Sequence, residues 1–181
     1  SINHEQIGLP GEFPFTRGSK PANQTGWEIR QTHDALNQDA NTTILLDLQR
    51  GVTGITLTNS PSQLDALSEV LAGVYLDLAP VHLSPGSNRE QAEALLGLAD
   101  AKDFKRHLVS GNLGLDPARR AIHHPASSED LAKGAEEVAV YASALASTHP
   151  NVTAIAIDAS TYADLGASDS QEVGTALALS L

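Results

Sequence analysis

The chain carries few residues whose type and spacing announce chemistry. His123 and His124, in the stretch IHHP, are its only adjacent histidines. Neighbouring side chains point in different directions, and no H-E-x-x-H or second histidine at helical spacing supports them as metal ligands. A solvated loop is the better reading, and no metal is expected. Residues 110–117, SGNLGLDP, are glycine-rich, but neither G-x-G-x-x-G nor G-x-x-x-x-G-K-(S/T) occurs anywhere. They read as a tight turn after a strand and not as a phosphate cradle. No G-x-S-x-G nucleophile elbow is present. The acidic run SEDLAKGAEE, residues 128–137, lies where a helix start favours negative charge, so it reads as a stability feature. Cysteine is absent, which excludes thiolate nucleophiles, disulfides and cysteine metal sites. No catalytic residue is expected from these motifs.

The elements that would position any site alternate. A strand rich in β-branched residues at VTGITLTN precedes a helix with Ser60 as cap, Pro61 in its first turn and Gly73 as its end. A second strand falls around Pro80–Leu83, followed by the helix NREQAEALLGLADA. A third strand lies in RHLVSGNLGLDP. The longest helix follows, with Ser127 or Ser128 as cap and Glu129 and Asp130 in the first turn. The fourth strand, NVTAIAIDAS, is apolar enough to suggest burial on both faces. A last helix starts at Ser168 or Asp169. Ahead of all this, residues 33–51 read as helical, with Asn41 as cap and Gly51 as stop, and residues 1–26 as an extended arm. Strand–helix repeats imply a parallel α/β sheet, either open and doubly wound or part of a (βα)8 barrel, of which four units make half. In either case ligands gather past the strands' C-terminal ends. The residues expected there are Thr58, Asn59, His82, Ser84, Asn112, Asp116, Asp158, Ser160 and Tyr162, with no evident acid–base pair.

Composition bounds the partners. The 181 residues are 41% hydrophobic but only 4% aromatic, so aliphatic side chains must fill the core. A net charge of −11 argues against nucleic acid or an anionic membrane, because both need a basic face. A small polyanion held by a few local cations stays possible. No apolar run is long enough to span a bilayer and no signal segment is visible, so a cytoplasmic location is the expectation. The chain has no methionine, begins with serine, and stops on apolar residues without a helix-ending signal. A truncated piece of a longer protein is expected.

The one tryptophan raises a separate question. GEFPFTRG, then GWEIRQ, resembles the N-terminal arm of the methylmalonyl-CoA mutase family, which has the form P-G-x-x-P-(F/Y)-x-R-G followed by a Trp-x-Ile-Arg-Gln run. LLDLQRGVTGITL is similar to the helix-to-first-strand passage of that family's small subunits. IDASTYADLGASDSQEVGTALAL resembles the passage after its fourth strand. The resemblance implies an arm over residues 1–32 and, over residues 33–181, the N-terminal half of a (βα)8 barrel. It implies interconversion of methylmalonyl-CoA and succinyl-CoA, with adenosylcobalamin in the holoenzyme and none bound by this stretch.

Three departures from the catalytic chains stand out. Thr32 replaces a substrate-packing tyrosine, Thr25 an arginine that meets the CoA phosphates, and Glu28 a threonine. The resemblance therefore implies a small, non-catalytic subunit whose partner is the catalytic large subunit, with self-association of this piece also open. The alternatives are a divergent acyl-CoA mutase acting through Asp158 or Tyr162, and a free-standing α/β binding module. Trp27 is expected to anchor the arm to the barrel or to a partner. Arg30 is the one substrate-binding candidate, facing a phosphate, or else it pairs with a nearby acid to hold the arm.

Overall fold

The computed structural model describes residues 27–123 and 127–179. The arm expected over residues 1–26, together with His124 and the side chain of His123, lies outside the described residues. The elements run β1 (Arg30–Asp34), α1 (Ala40–Gln49), β2 (Gly54–Thr58), α2 (Leu64–Val70), β3 (Val81–Leu83), α3 (Arg89–Ala101), β4 (Gly111–Leu115), α4 (Pro117–His123), α5 (Ser128–Thr148), β5 (Val152–Ile155), α6 (Ser160–Asp164) and α7 (Asp169–Leu179).

All five strands are parallel and lie in the order β1-β2-β3-β4-β5. A doubly wound sheet needs a point where strand order reverses. None occurs among the described strands. Successive right-handed crossovers in one direction put the helices on one side, as in an arc of a (βα) barrel. The burial pattern agrees. His33, Ile55, Leu57, Val81, Leu83, Leu113, Val152 and Ala154 are buried, and Ile44 of α1, Leu67 of α2 and Leu95 and Leu98 of α3 pack in the same core. The opposite, axial face carries a row in register: Thr32, Thr56, His82, Asn112 and Thr153.

The structure corrects several local expectations. Residues 30–34 form a strand where the sequence suggests the end of an arm and the start of a helix, so there are five strands and not four. Only His33 of that strand is buried, so no apolar alternation marks it. Asn41 caps a helix other than its own: its Nδ2 donates to the carbonyls of Val70 at 3.0 Å and Ala72 at 2.8 Å, closing the end of α2. Ser60 is not the cap of α2, which begins at Leu64 behind Gln63 without a side-chain cap bond. The Ser60 carbonyl instead accepts from Gln91 Nε2 at 2.5 Å. β5 alternates buried and exposed, so it is covered on one face only.

The glycine-rich stretch is a strand, not a turn. Gly111 and Gly114 let β4 approach β3 closely. A β-carbon on Gly111 would lie 1.8 Å from the Val81 carbonyl oxygen, and one on Gly114 would lie 2.3 Å from that of Ser84. Other expectations hold. Gly51 and Gly73 follow their helices with positive φ. Ser127 caps α5 through a reciprocal box with Asp130. The structure adds a second such box at the start of α3, where Asn88 pairs with Gln91.

Candidate functional site

Two polar groupings sit on this frame. The first lies where the chain enters β1. Ile29 is tied to the β2 entry by backbone bonds from Thr53 and Gly54 to its carbonyl, and its own amide donates to Thr53 Oγ1 at 2.8 Å. That pairing lays Glu28 across the sheet. Glu28 Oε1 accepts from Arg30 Nε at 2.8 Å and lies 2.8 Å from His82 Nε2. Gly54 makes the room, because a β-carbon there would stand 2.2 Å from that same oxygen. The Arg30 bond, opposed by burial and aided by His82, holds the Glu28 carboxyl below its usual range. Burial and then the Arg30 charge push His82 down, while Glu28 works in the other direction.

Arg30 pairs with an acid two residues away, Glu28. Trp27 is not pinned to the barrel, being 93% exposed, and Ile29 is 60% exposed. Thr32 lies on the axial face of β1, opposite Thr56. His82 sits in the middle of β3 and reaches toward the entry end, not the mouth where it was expected. The sequence holds no signal for this, because Glu28 and His82 are 54 residues apart.

The second grouping is at the C-terminal ends of the strands. Asp34 Oδ1 accepts from Asn59 Nδ2 at 3.0 Å and from the Leu36 amide at 3.0 Å. Asn59 is held in the left-handed region at φ 50° beside it. Thr58 Oγ1 donates to the His33 carbonyl at 3.3 Å, and the Ser84 carbonyl accepts from Ser87 Oγ at 2.7 Å. Asp116 is buried and accepts the Arg119 amide at 2.9 Å. Arg119 forms a direct ion pair with Asp158, whose other oxygen accepts from Ser160 Oγ at 2.5 Å. Burial opposes ionisation of Asp158, but the Ser160 bonds and Arg119 hold its carboxyl below the usual range. Burial, with Asp116, pushes the Tyr162 phenol up.

This second grouping brings together Asp116, Asp158 and Ser160, as the sequence suggested, and adds Arg119 and Asp34, which it did not. Asp158 is held by Arg119 and Ser160, while Asp34 is bonded separately to Asn59 and to the Leu36 amide. Asn112 does not belong to the mouth at all. Its Nδ2 donates to Thr153 Oγ1 at 2.7 Å and the Ile155 carbonyl at 2.8 Å, and its Oδ1 accepts the Gly114 amide at 2.7 Å. It fills the register shift between β4 and β5. Among the described residues, no group of three His, Asp or Glu side chains could hold a metal ion.

No family model matches the chain. It is 37% identical over 177 residues to the methylmalonyl-CoA mutase small subunit of Streptomyces virginiae, covering 94% of this chain and 28% of that protein. It is 32% identical over 178 residues to a probable methylmalonyl-CoA mutase small subunit of Mycobacterium tuberculosis, with the same coverage of 94% and 28%. It is 31% identical over 180 residues to the methylmalonyl-CoA mutase small subunit of Propionibacterium freudenreichii subsp. shermanii, covering 96% of this chain and 27% of that protein. The chain is therefore a homologue of methylmalonyl-CoA mutase small subunits and spans a little over a quarter of their length.

Proposed function

We propose that this chain is the N-terminal barrel portion, entered by an extended arm, of the small subunit of an adenosylcobalamin-dependent methylmalonyl-CoA mutase. Its role is to complement a catalytic large subunit, and it turns over no substrate itself. The observation that carries this reading is the state of Arg30. The one side chain marked for an anionic substrate is bonded to Glu28, a residue the resemblance gives as threonine in catalytic chains. A carboxylate at that point repels a CoA phosphate, and the salt bridge occupies the cation that would receive it. Thr32 on the axial face supplies neither the bulk nor the phenol of the tyrosine it replaces.

In this reading Arg30 keeps at most a weakened contact with the acyl-CoA tail. His82, the described histidine on the axial face, is bonded to Glu28 and does not fit a cobalt ligand. In this reading the radical chemistry that adenosylcobalamin would supply belongs to the rest of the holoenzyme. A divergent mutase acting through Asp158 is disfavoured by that carboxylate's bonds to Arg119 and Ser160. Trp27 and Ile29, exposed at the start of an edge strand, are suited to a partner's surface. A cytoplasmic location completes the proposal, and no described helix is long and apolar enough to cross a membrane.

Complementation tests it. The full-length gene product is assayed for methylmalonyl-CoA isomerisation with adenosylcobalamin, alone and with a catalytic large subunit. Activity of the pair and silence of the single chain are expected. Turnover by the single chain would overturn the proposal.

A further inference from the structure

We infer that Arg30 and His82 form a seat for a phosphate group and that the chain fills this seat with its own Glu28. The seat has three parts from three strands. Arg30 Nε of β1 and His82 Nε2 of β3 converge on one oxygen, each at 2.8 Å. Between them, Gly54 of β2 leaves bare backbone under that oxygen, where a β-carbon would intrude to 2.2 Å. Two convergent nitrogens over an open floor suit any anionic oxygen, and phosphate and carboxylate oxygens accept from such donors alike.

Glu28 is tethered two residues from Arg30, so it competes as an intramolecular ligand. Short tethers of this kind give effective concentrations in the millimolar range or above. An external anion must displace the carboxylate and also approach its charge. The contact therefore acts as a plug, and Gly54 is the residue that lets the plug seat. The inference deepens the subunit reading: it rests on that reading for which phosphate-bearing ligand is turned away, and on the geometry for the seat itself.

The test uses the full-length gene product labelled with 15N-histidine, with His82→Gln to assign the resonance. Inorganic pyrophosphate and acetate are titrated separately into the wild type, Glu28→Thr and the double variant Glu28→Thr with Arg30→Ala. In Glu28→Thr, pyrophosphate is expected to shift the His82 ring saturably, at least about tenfold tighter than in the wild type. The double variant is expected to lose the response. A saturable response to acetate but not to pyrophosphate would overturn the phosphate assignment. No response in a folded Glu28→Thr, equal affinity in the wild type, or binding that survives loss of Arg30 would overturn the seat. If Glu28→Thr does not fold, Glu28→Gln keeps the side chain's size without its charge, and the same comparison is made with it. A silent variant leaves the complementation result standing, whereas a wild-type chain active alone overturns the subunit reading and not the seat.

Discussion

Replacing Asn112 by aspartate, an isosteric change, is expected to destabilise the protein more than truncating it to alanine. The amide does two opposite things at the β4–β5 irregularity. Its oxygen takes the Gly114 amide at 2.7 Å, and its nitrogen serves Thr153 Oγ1 at 2.7 Å and the Ile155 carbonyl at 2.8 Å. Alanine leaves the Gly114 N–H and the Ile155 carbonyl without their partner. At about 1 kcal/mol each for groups that water partly reaches, the cost is about 2 kcal/mol. Aspartate keeps the Gly114 bond but points a charged oxygen at a carbonyl that can only accept. The Thr153 hydroxyl can turn to donate only by leaving the Gly111 carbonyl it serves at 3.2 Å, and the Ile155 carbonyl can only accept. We expect a cost of about 3 kcal/mol at neutral pH, from the lost bond and the unpaired charge together. The unpaired charge raises the carboxyl's folded-state pKa above the ordinary aspartate value, so as pH falls through it the protonated acid regains a donor and the deficit shrinks. Urea denaturation of the three proteins at neutral and acid pH measures both effects. An aspartate variant as stable as the wild type at neutral pH would show that Asn112 does not hold the irregularity and would refute this reasoning.

Two further outcomes are expected. Gly111→Ala should fail to fold, because its β-carbon meets the Val81 backbone carbonyl at 1.8 Å, whereas Gly51→Ala, with nothing within 4 Å, should fold at a cost of about 1–2 kcal/mol of left-handed strain; soluble yield and urea midpoints separate the two. Acid should weaken the fold in two stages: the burial that keeps His82 and His149 neutral stabilises above their ordinary 6.5 and is lost as pH falls below it. The depressed Glu28 and Asp158 carboxyls stabilise above their ordinary 4.5 and 3.8, and are lost as pH falls through their lowered values; a urea midpoint flat from about pH 7 to about pH 3 would contradict both.

The sequence made the helices legible where capping chemistry was explicit. Asn88 with Gln91 and Ser127 with Asp130 are reciprocal boxes, and each marks a helix start within a residue. It hid β1, because an edge strand with one buried side chain, His33, has no apolar period to detect. It misplaced Asn41, whose hydrogen-bonding partners lie 29 and 31 residues on at the end of another helix. The same reason explains the site. Asp158 and Asp116 were visible as strand-end acids, but the Glu28–His82 contact exists only once β1, β2 and β3 lie side by side. Local pattern reports which face a residue takes. It does not report which distant residue shares that face.

The strand alternation that buries Ile55, Leu57, Val81 and Leu83 while leaving Thr56 and His82 on the other side has an evolutionary consequence. Stability is carried by one set of positions and chemistry by the set between them. A duplicated gene can therefore accumulate changes at every second residue and lose a reaction without losing its shape.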